Sequence, residues 1–142
     1  MKPTLYQAYN PLQKPIEALP VLLLGGVGYY LLELLWRGYS HPIMAICGAI
    51  SYYFVYQLCR TYPYVPMLWR ALLGAIFITG IELFTGCLCN LGLGMAIWDY
   101  SDLPYQFLGQ ICLGYSIGWF LLCIPLCGIS RLIRRLVFLS DV

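Results

Sequence analysis

The apolar positions of this chain gather into four long blocks, separated by short breaks that carry most of the polar residues, prolines and turn-forming glycines. A helix that crosses the hydrocarbon layer needs about 20 mostly apolar residues. The pattern predicts such helices over residues 18–36, 42–58, 67–91 and 105–128. Pro20 would fall in the first turn of the first helix, where proline is tolerated. Residues 60–66 read as a tight, proline-marked loop, and residues 92–104 as a turn-rich one. Residues 1–17, with Pro3, Pro11 and Pro15, read as an irregular lead-in without a cleavable signal peptide. The expected fold class is therefore all-α membrane, a four-transmembrane-helix bundle.

Composition strengthens that expectation. The chain has 142 residues, 61% hydrophobic and 10% charged. Soluble domains carry about 25% charged residues, so a water-facing surface could not be covered. A net charge of +2, with no zinc-finger spacing, RNP motif or basic-aromatic interleaving, excludes nucleic acid as a partner.

The placement of the charges says more than their sum. Four spans put the N-terminus, the second loop and the C-terminus on one side. Lys2, Lys14, Arg60, Arg70, Arg131, Arg134 and Arg135 fall there, and only Arg37 falls opposite. By the positive-inside rule both termini are expected in the cytoplasm. Arg70, near the start of the third span, is expected to snorkel to the interface. In residues 129–142 the run I-S-R-L-I-R-R-L-V-F-L puts Arg131, Arg134 and Arg135 on one helical face and the aliphatic residues on the other. This predicts a C-terminal amphipathic interfacial helix whose arginines meet lipid headgroups; the alternative is a continuation of the fourth helix.

Ionisable groups inside a membrane are costly and tend to be functional. Glu82 falls near the middle of the third span. At helical spacing Ala75, Thr79, Glu82, Gly86 and Asn90 share one face, a stripe of small and polar residues turned from lipid. Loss of hydration at that depth works against the charged form, which suits a carboxyl group that exchanges protons. The structural alternative is a hydrogen-bonded glutamate tying helices together.

Glu33 and Arg37, four residues apart, suit an intrahelical ion pair. With His41, Asp99 and Asp102 they are expected to form an outer polar cluster, either a clasp between the outer loops or a recognition site. Trp36, Trp98 and Tyr100 are expected at headgroup depth. His41, before Pro42, reads as a helix cap. Gln110 shares a face of the fourth block with Gly114 and Gly118, a G-x-x-x-G pair permitting close approach within the bundle or between copies in a homo-oligomer. Seven scattered cysteines and one histidine make no metal site. They read as small core- or lipid-facing residues, with a Cys89–Cys112 bridge as the alternative. No catalytic constellation and no cofactor motif is present. Without a Walker sequence, any ATP-driven role needs a separate ATPase.

Several strings occur in a distinctive order: L-E-L-L-W-R-G-Y-S-H (32–41), E-L-F-T-G (82–86), Asn90, W-D-Y-S-x-L-P (98–104) and G-Q-I-C (109–112). Together they resemble the bacterial ABC-transporter type IV family of small membrane proteins, over roughly residues 20–140. The resemblance implies a transport-related role in the bacterial plasma membrane; a single copy of four helices is small for that, so a homo-oligomer or a larger transport complex is expected. Three functions follow in order of weight. The first is a small permease or transporter subunit with Glu82 as coupling carboxylate and Thr79, Asn90 and Gln110 beside it. The second is a non-transporting adaptor or envelope assembly factor, and the third an intramembrane enzyme acting on lipid.

Overall fold

The computed structural model describes residues 13–136. Four long helices account for most of it: α1 (Gln13–Arg37), α2 (Pro42–Thr61), α3 (Met67–Thr85) and α4 (Leu113–Leu136). A π-helical segment, Gly86–Gly92, extends α3. Two short antiparallel strands, β1 (Gln106–Phe107) and β2 (Ile111–Cys112), pair within the long third loop. Four stretches, Ile16–Arg37, Pro42–Thr61, Met67–Gly92 and Leu113–Leu136, are long and apolar enough to cross a membrane. Their outer surfaces agree: Leu35 is 87% exposed and Trp36 76%. Such side chains belong in lipid, because no monomer in water leaves so many large apolar groups uncovered.

The short connections make successive helices antiparallel neighbours. Arg37 ends α1, and Gly38 follows at φ +78°, in the left-handed region that glycine adopts freely. The Gly38 N–H donates to the Leu34 carbonyl at 3.0 Å. His41 caps α2: its Nδ1 accepts from the Ile43 N–H at 3.2 Å, with Pro42 in the first helical position. Backbone-to-backbone packing is closest between α1 and α2 and between α3 and α4, and α2 joins the two pairs. α1 and α4 meet mainly through long side chains.

Between α1 and α2 the close approach depends on two glycines. A Cβ at Gly48 would stand 2.5 Å from the Tyr29 Cβ, and one at Gly25 would stand 2.8 Å from the Gly48 carbonyl oxygen. Small residues that let backbones meet are the usual adhesive of membrane helices. By contrast, Gly114 and Gly118 have nothing within 4 Å of a Cβ position. The G-x-x-x-G face of α4 is therefore not a seam between the described helices.

The core lies in two clusters. One, toward the end of the bundle that holds the described termini, gathers Val21, Tyr52, Val55, Tyr56, Cys59, Ala71, Ile78, Cys123 and Cys127. The other, at the opposite end, joins Met44 and Cys89 to Ile97 and Trp98 of the third loop. All seven cysteines are free, including Cys89 and Cys112.

Three features depart from the sequence pattern. First, α1 begins at Gln13, so Pro20 lies inside the helix and Glu17 is buried. Glu17 accepts from the Tyr56 hydroxyl at 2.7 Å and pairs with Arg60 at 3.4 Å, which gives a buried carboxylate the partners it needs. Second, Arg70 does not snorkel outward. It is buried, within electrostatic reach of the Cys59 and Cys127 thiols. Third, the arginine-bearing tail is no separate helix as far as it is described: α4 runs unbroken to Leu136. Arg131 and Arg135 are exposed, but Arg134 turns inward, within electrostatic reach of Glu17 and Tyr56. Residues 137–142 of that tail lie outside the described residues, as do residues 1–12 of the lead-in.

Candidate functional site

Glu82 is 6% exposed, near the end of α3 that adjoins the third loop. Both carboxylate oxygens are engaged. Oε1 accepts from the Tyr100 hydroxyl at 2.7 Å, and Oε2 accepts from the Trp119 indole N–H at 3.1 Å. Among the described residues no basic side chain forms an ion pair with it. The titratable groups within its electrostatic reach are Tyr29 and Glu33 of α1, Cys47 of α2 and Tyr100 of the third loop. Burial first, and then the Glu82 charge, push the Tyr100 phenol above its ordinary value. Tyr100 is therefore a fixed donor to the carboxylate at physiological pH.

Aromatic rings surround this carboxylate. Trp119 packs against Tyr29 at 5.7 Å between centroids and against Tyr115 at 6.5 Å. Tyr115 stacks on Tyr100 at 4.7 Å, and Tyr100 lies 6.5 Å from Trp98. Beside the rings lies a cavity of about 330 Å³, with Tyr29, Gly48, Ile78, Glu82, Trp98 and Trp119 among its lining residues. A second cavity of about 260 Å³ adjoins it and shares Tyr29, Trp98 and Trp119; Glu33, Arg37, Tyr100 and Tyr115 line it further.

The third loop closes this end of the bundle because Asn90 organises it. The π segment is bonded i to i+5, as in Leu93 N–H to Leu88 carbonyl at 3.0 Å. This alters the helical step and directs Asn90 to the loop. Asn90 Nδ2 donates to the Trp98 carbonyl at 3.0 Å and to Gln110 Oε1 at 2.8 Å, and its Oδ1 accepts from the Ile97 N–H at 2.7 Å. The buried Trp98 indole donates to the Gln110 carbonyl at 2.9 Å. Gln110 in turn fills the space a side chain at Gly86 would need, since a Cβ there would stand 2.5 Å from its Oε1. Ala96, Tyr105 and Leu108 all have positive φ, near 51–54°. Such backbone persists only where surrounding contacts hold it.

The expected site residues thus occupy three neighbouring places. Glu82 faces the cavity, Asn90 and Gln110 bond each other in the loop brace, and Thr79 reaches α4 through Ser116 Oγ at 2.9 Å. Of the outer group, Glu33 and Arg37 form an ion pair at 2.9 Å, and Ser40 Oγ donates to Glu33 at 2.8 Å. Arg37 also donates to the Ile97 carbonyl at 3.1 Å, which ties the first loop region to the third. His41 is occupied as a helix cap. Asp99 turns back on its own loop, accepting from the Ser101 hydroxyl and from the Ser101 N–H at 2.9 Å. These two bonds hold its carboxyl below the usual range, and Asp102 is exposed.

Sequence reasoning missed Trp119, Tyr29 and Ser116. For Trp119 a signal existed: an indole deep inside an apolar block carries an N–H that must find an acceptor, and Glu82 was the nearest carboxylate on a neighbouring span. It also began the fourth helix too early. Residues 105–112 are apolar enough to be helical, but Gly109 at φ +69° and the β1–β2 pairing turn them into the loop.

A family model described as "Putative ABC-transporter type IV" matches residues 21–139. No curated protein and no solved structure matches the chain.

Proposed function

Since the chain belongs to the ABC-transporter type IV family, and is a multi-pass membrane protein by its four apolar helices, we propose that it is a small permease or transporter subunit. Glu82 is its coupling carboxylate. The observation that carries this reading is a buried glutamate, without an ion pair among the described residues, at the wall of a cavity large enough for a small solute. Such a group binds a proton or a charged solute in turn, and an open path to each side of the membrane in alternation would link the two. Tyr100 and Trp119 hold the carboxylate in place for either partner.

In this reading the chain lies in the bacterial plasma membrane with both termini in the cytoplasm, supported by the lysines and arginines gathered at that end. Exposed Arg131 and Arg135 meet inner-leaflet headgroups. The open Gly114/Gly118 face of α4 is a seam for a second copy or a larger transport complex. A separate ATPase joins that complex if transport uses ATP. The topology has a direct check. Cysteine-accessibility labelling from the periplasmic side is expected to modify a cysteine placed at Asp102 and to spare one placed at Tyr64; the reverse result would invert the orientation.

The coupling role is tested in proteoliposomes that contain a pH-sensitive dye. A panel of organic cations, anions and neutral solutes is added outside. At least one class is expected to drive proton movement, and Glu82→Gln is expected to reduce it about tenfold or more. If no class moves protons while both proteins remain folded, the reading fails.

A further inference from the structure

We propose that the aromatic-walled cavity beside Glu82 binds a lipophilic organic cation, of the quaternary-ammonium class. This rests on the reading of Glu82 as the working carboxylate and names what that carboxylate receives.

Charge is the first argument. Tyr100 and Trp119 neutralise none of the Glu82 charge, and no described basic side chain pairs with it. The nearest guanidinium on this side, Arg37, lines only the second cavity and is taken up by Glu33 at 2.9 Å. An anion entering the first cavity would face Glu82 with no cationic side chain among the described lining residues to receive it.

The lining gives the second argument. Ring faces attract cations through their quadrupole, and quaternary ammonium groups are held in cages of such rings. Tyr29 of α1 and Trp119 of α4, packed on each other at 5.7 Å between centroids, both line the cavity, together with Tyr52 and Trp98. Most polar donors around it are already committed: Trp119 and Tyr100 to Glu82, Trp98 to the Gln110 carbonyl, Tyr29 to Glu33 and Tyr52 to Ser130, which leaves the Ser51 hydroxyl as a poor basis for holding a sugar or peptide. A cation without N–H groups loses little in such a site, because it seeks neither donors nor acceptors.

Size and access agree. A volume of about 330 Å³ falls at the lower end of ordinary small-ligand pockets. All four helices line the cavity; α1 and α4, whose backbones do not pack closely, contribute Leu24, Leu32, Leu122 and Ile129. A solute already dissolved in the bilayer therefore meets an apolar entrance.

The experiment is equilibrium binding to the purified full chain in detergent, read by indole fluorescence and by calorimetry. Three benzyl probes are compared: benzyltrimethylammonium, its neutral isostere neopentylbenzene, and the anion phenylmethanesulfonate. The cation is expected to bind about tenfold tighter than either of the others. Glu82→Gln is expected to weaken it by about tenfold, Glu82→Asp to retain most of the affinity, and Tyr29→Leu to weaken it about fivefold. Equal binding of the neutral or anionic probe overturns the assignment, and so does cation binding indifferent to folded Glu82→Gln. Should Glu82→Gln misfold, the three-probe comparison on wild type and the Tyr29→Leu result decide. Failure here is separable from failure of the coupling reading. Glu82-dependent cation binding without proton movement sustains this site and sinks coupling; proton movement driven only by an anion or neutral solute does the reverse.

Discussion

Asn90→Ala is expected to loosen the entire third loop and to lower stability by about 3 kcal/mol, because one side chain satisfies three groups. Its loss leaves the Ile97 N–H, the Trp98 carbonyl and Gln110 Oε1 without their partner. Ile97 and Trp98 are buried, so water does not readily replace it, and each unsatisfied buried group costs about 1–3 kcal/mol. Partial relaxation of the loop keeps the total near the lower sum. The consequences reach the cavity, since Tyr100, two residues beyond Trp98, holds Glu82 Oε1. Thermal unfolding in detergent should show the loss, and hydrogen exchange should show it concentrated in residues 93–112. Exchange spread evenly over the helices, or an unchanged melting temperature, would contradict the brace.

Gly48→Leu is the second large effect, and Gly80→Leu is its matched control. Leucine is a better helix former than glycine by about 0.8 kcal/mol, so propensity alone would favour both changes. At Gly48 the new Cβ would stand 2.5 Å from the Tyr29 Cβ and 2.8 Å from the Gly25 carbonyl oxygen. Neither neighbour is the loose end of a side chain, so α1 must move away from α2. Overpacking of this kind costs about 3 kcal/mol or more. At Gly80 a Cβ meets nothing within 4 Å, and Gly80→Leu is expected to be neutral or mildly stabilising. Denaturant titration of the reconstituted proteins measures both. Similar behaviour of the two variants would remove the Gly25–Gly48 contact as the feature that sets α1 against α2.

The two glycine positions also show where sequence pattern gives out. Gly114 and Gly118 carry the four-residue spacing, yet none of the described residues packs on them, whereas Gly25 and Gly48 lie on different helices and form no spaced pair. Spacing identifies a smooth face on one helix; it does not identify which partner covers it. Arg70 and Arg134 make the same point for charge. Their positions near helix ends suggest interfacial arginines, but both are buried. For Arg134 the reason lies in Glu17 and Tyr56, which stand on other helices and near it only in the fold.

Hydrophobic block length alone determined the helix count and the membrane class, because a bilayer demands a fixed apolar thickness and complete backbone hydrogen bonding within each span. The same logic made Glu82 conspicuous and paired Glu33 with Arg37, since both arguments are local to one helix. Tertiary structure alone decided that Tyr100 and Trp119 receive the Glu82 carboxylate, that Asn90 serves the third loop rather than the cavity, and that the loop folds as paired strands over residues 105–112. Each of these joins residues from separate elements, and a periodic pattern carries no information about distances between them.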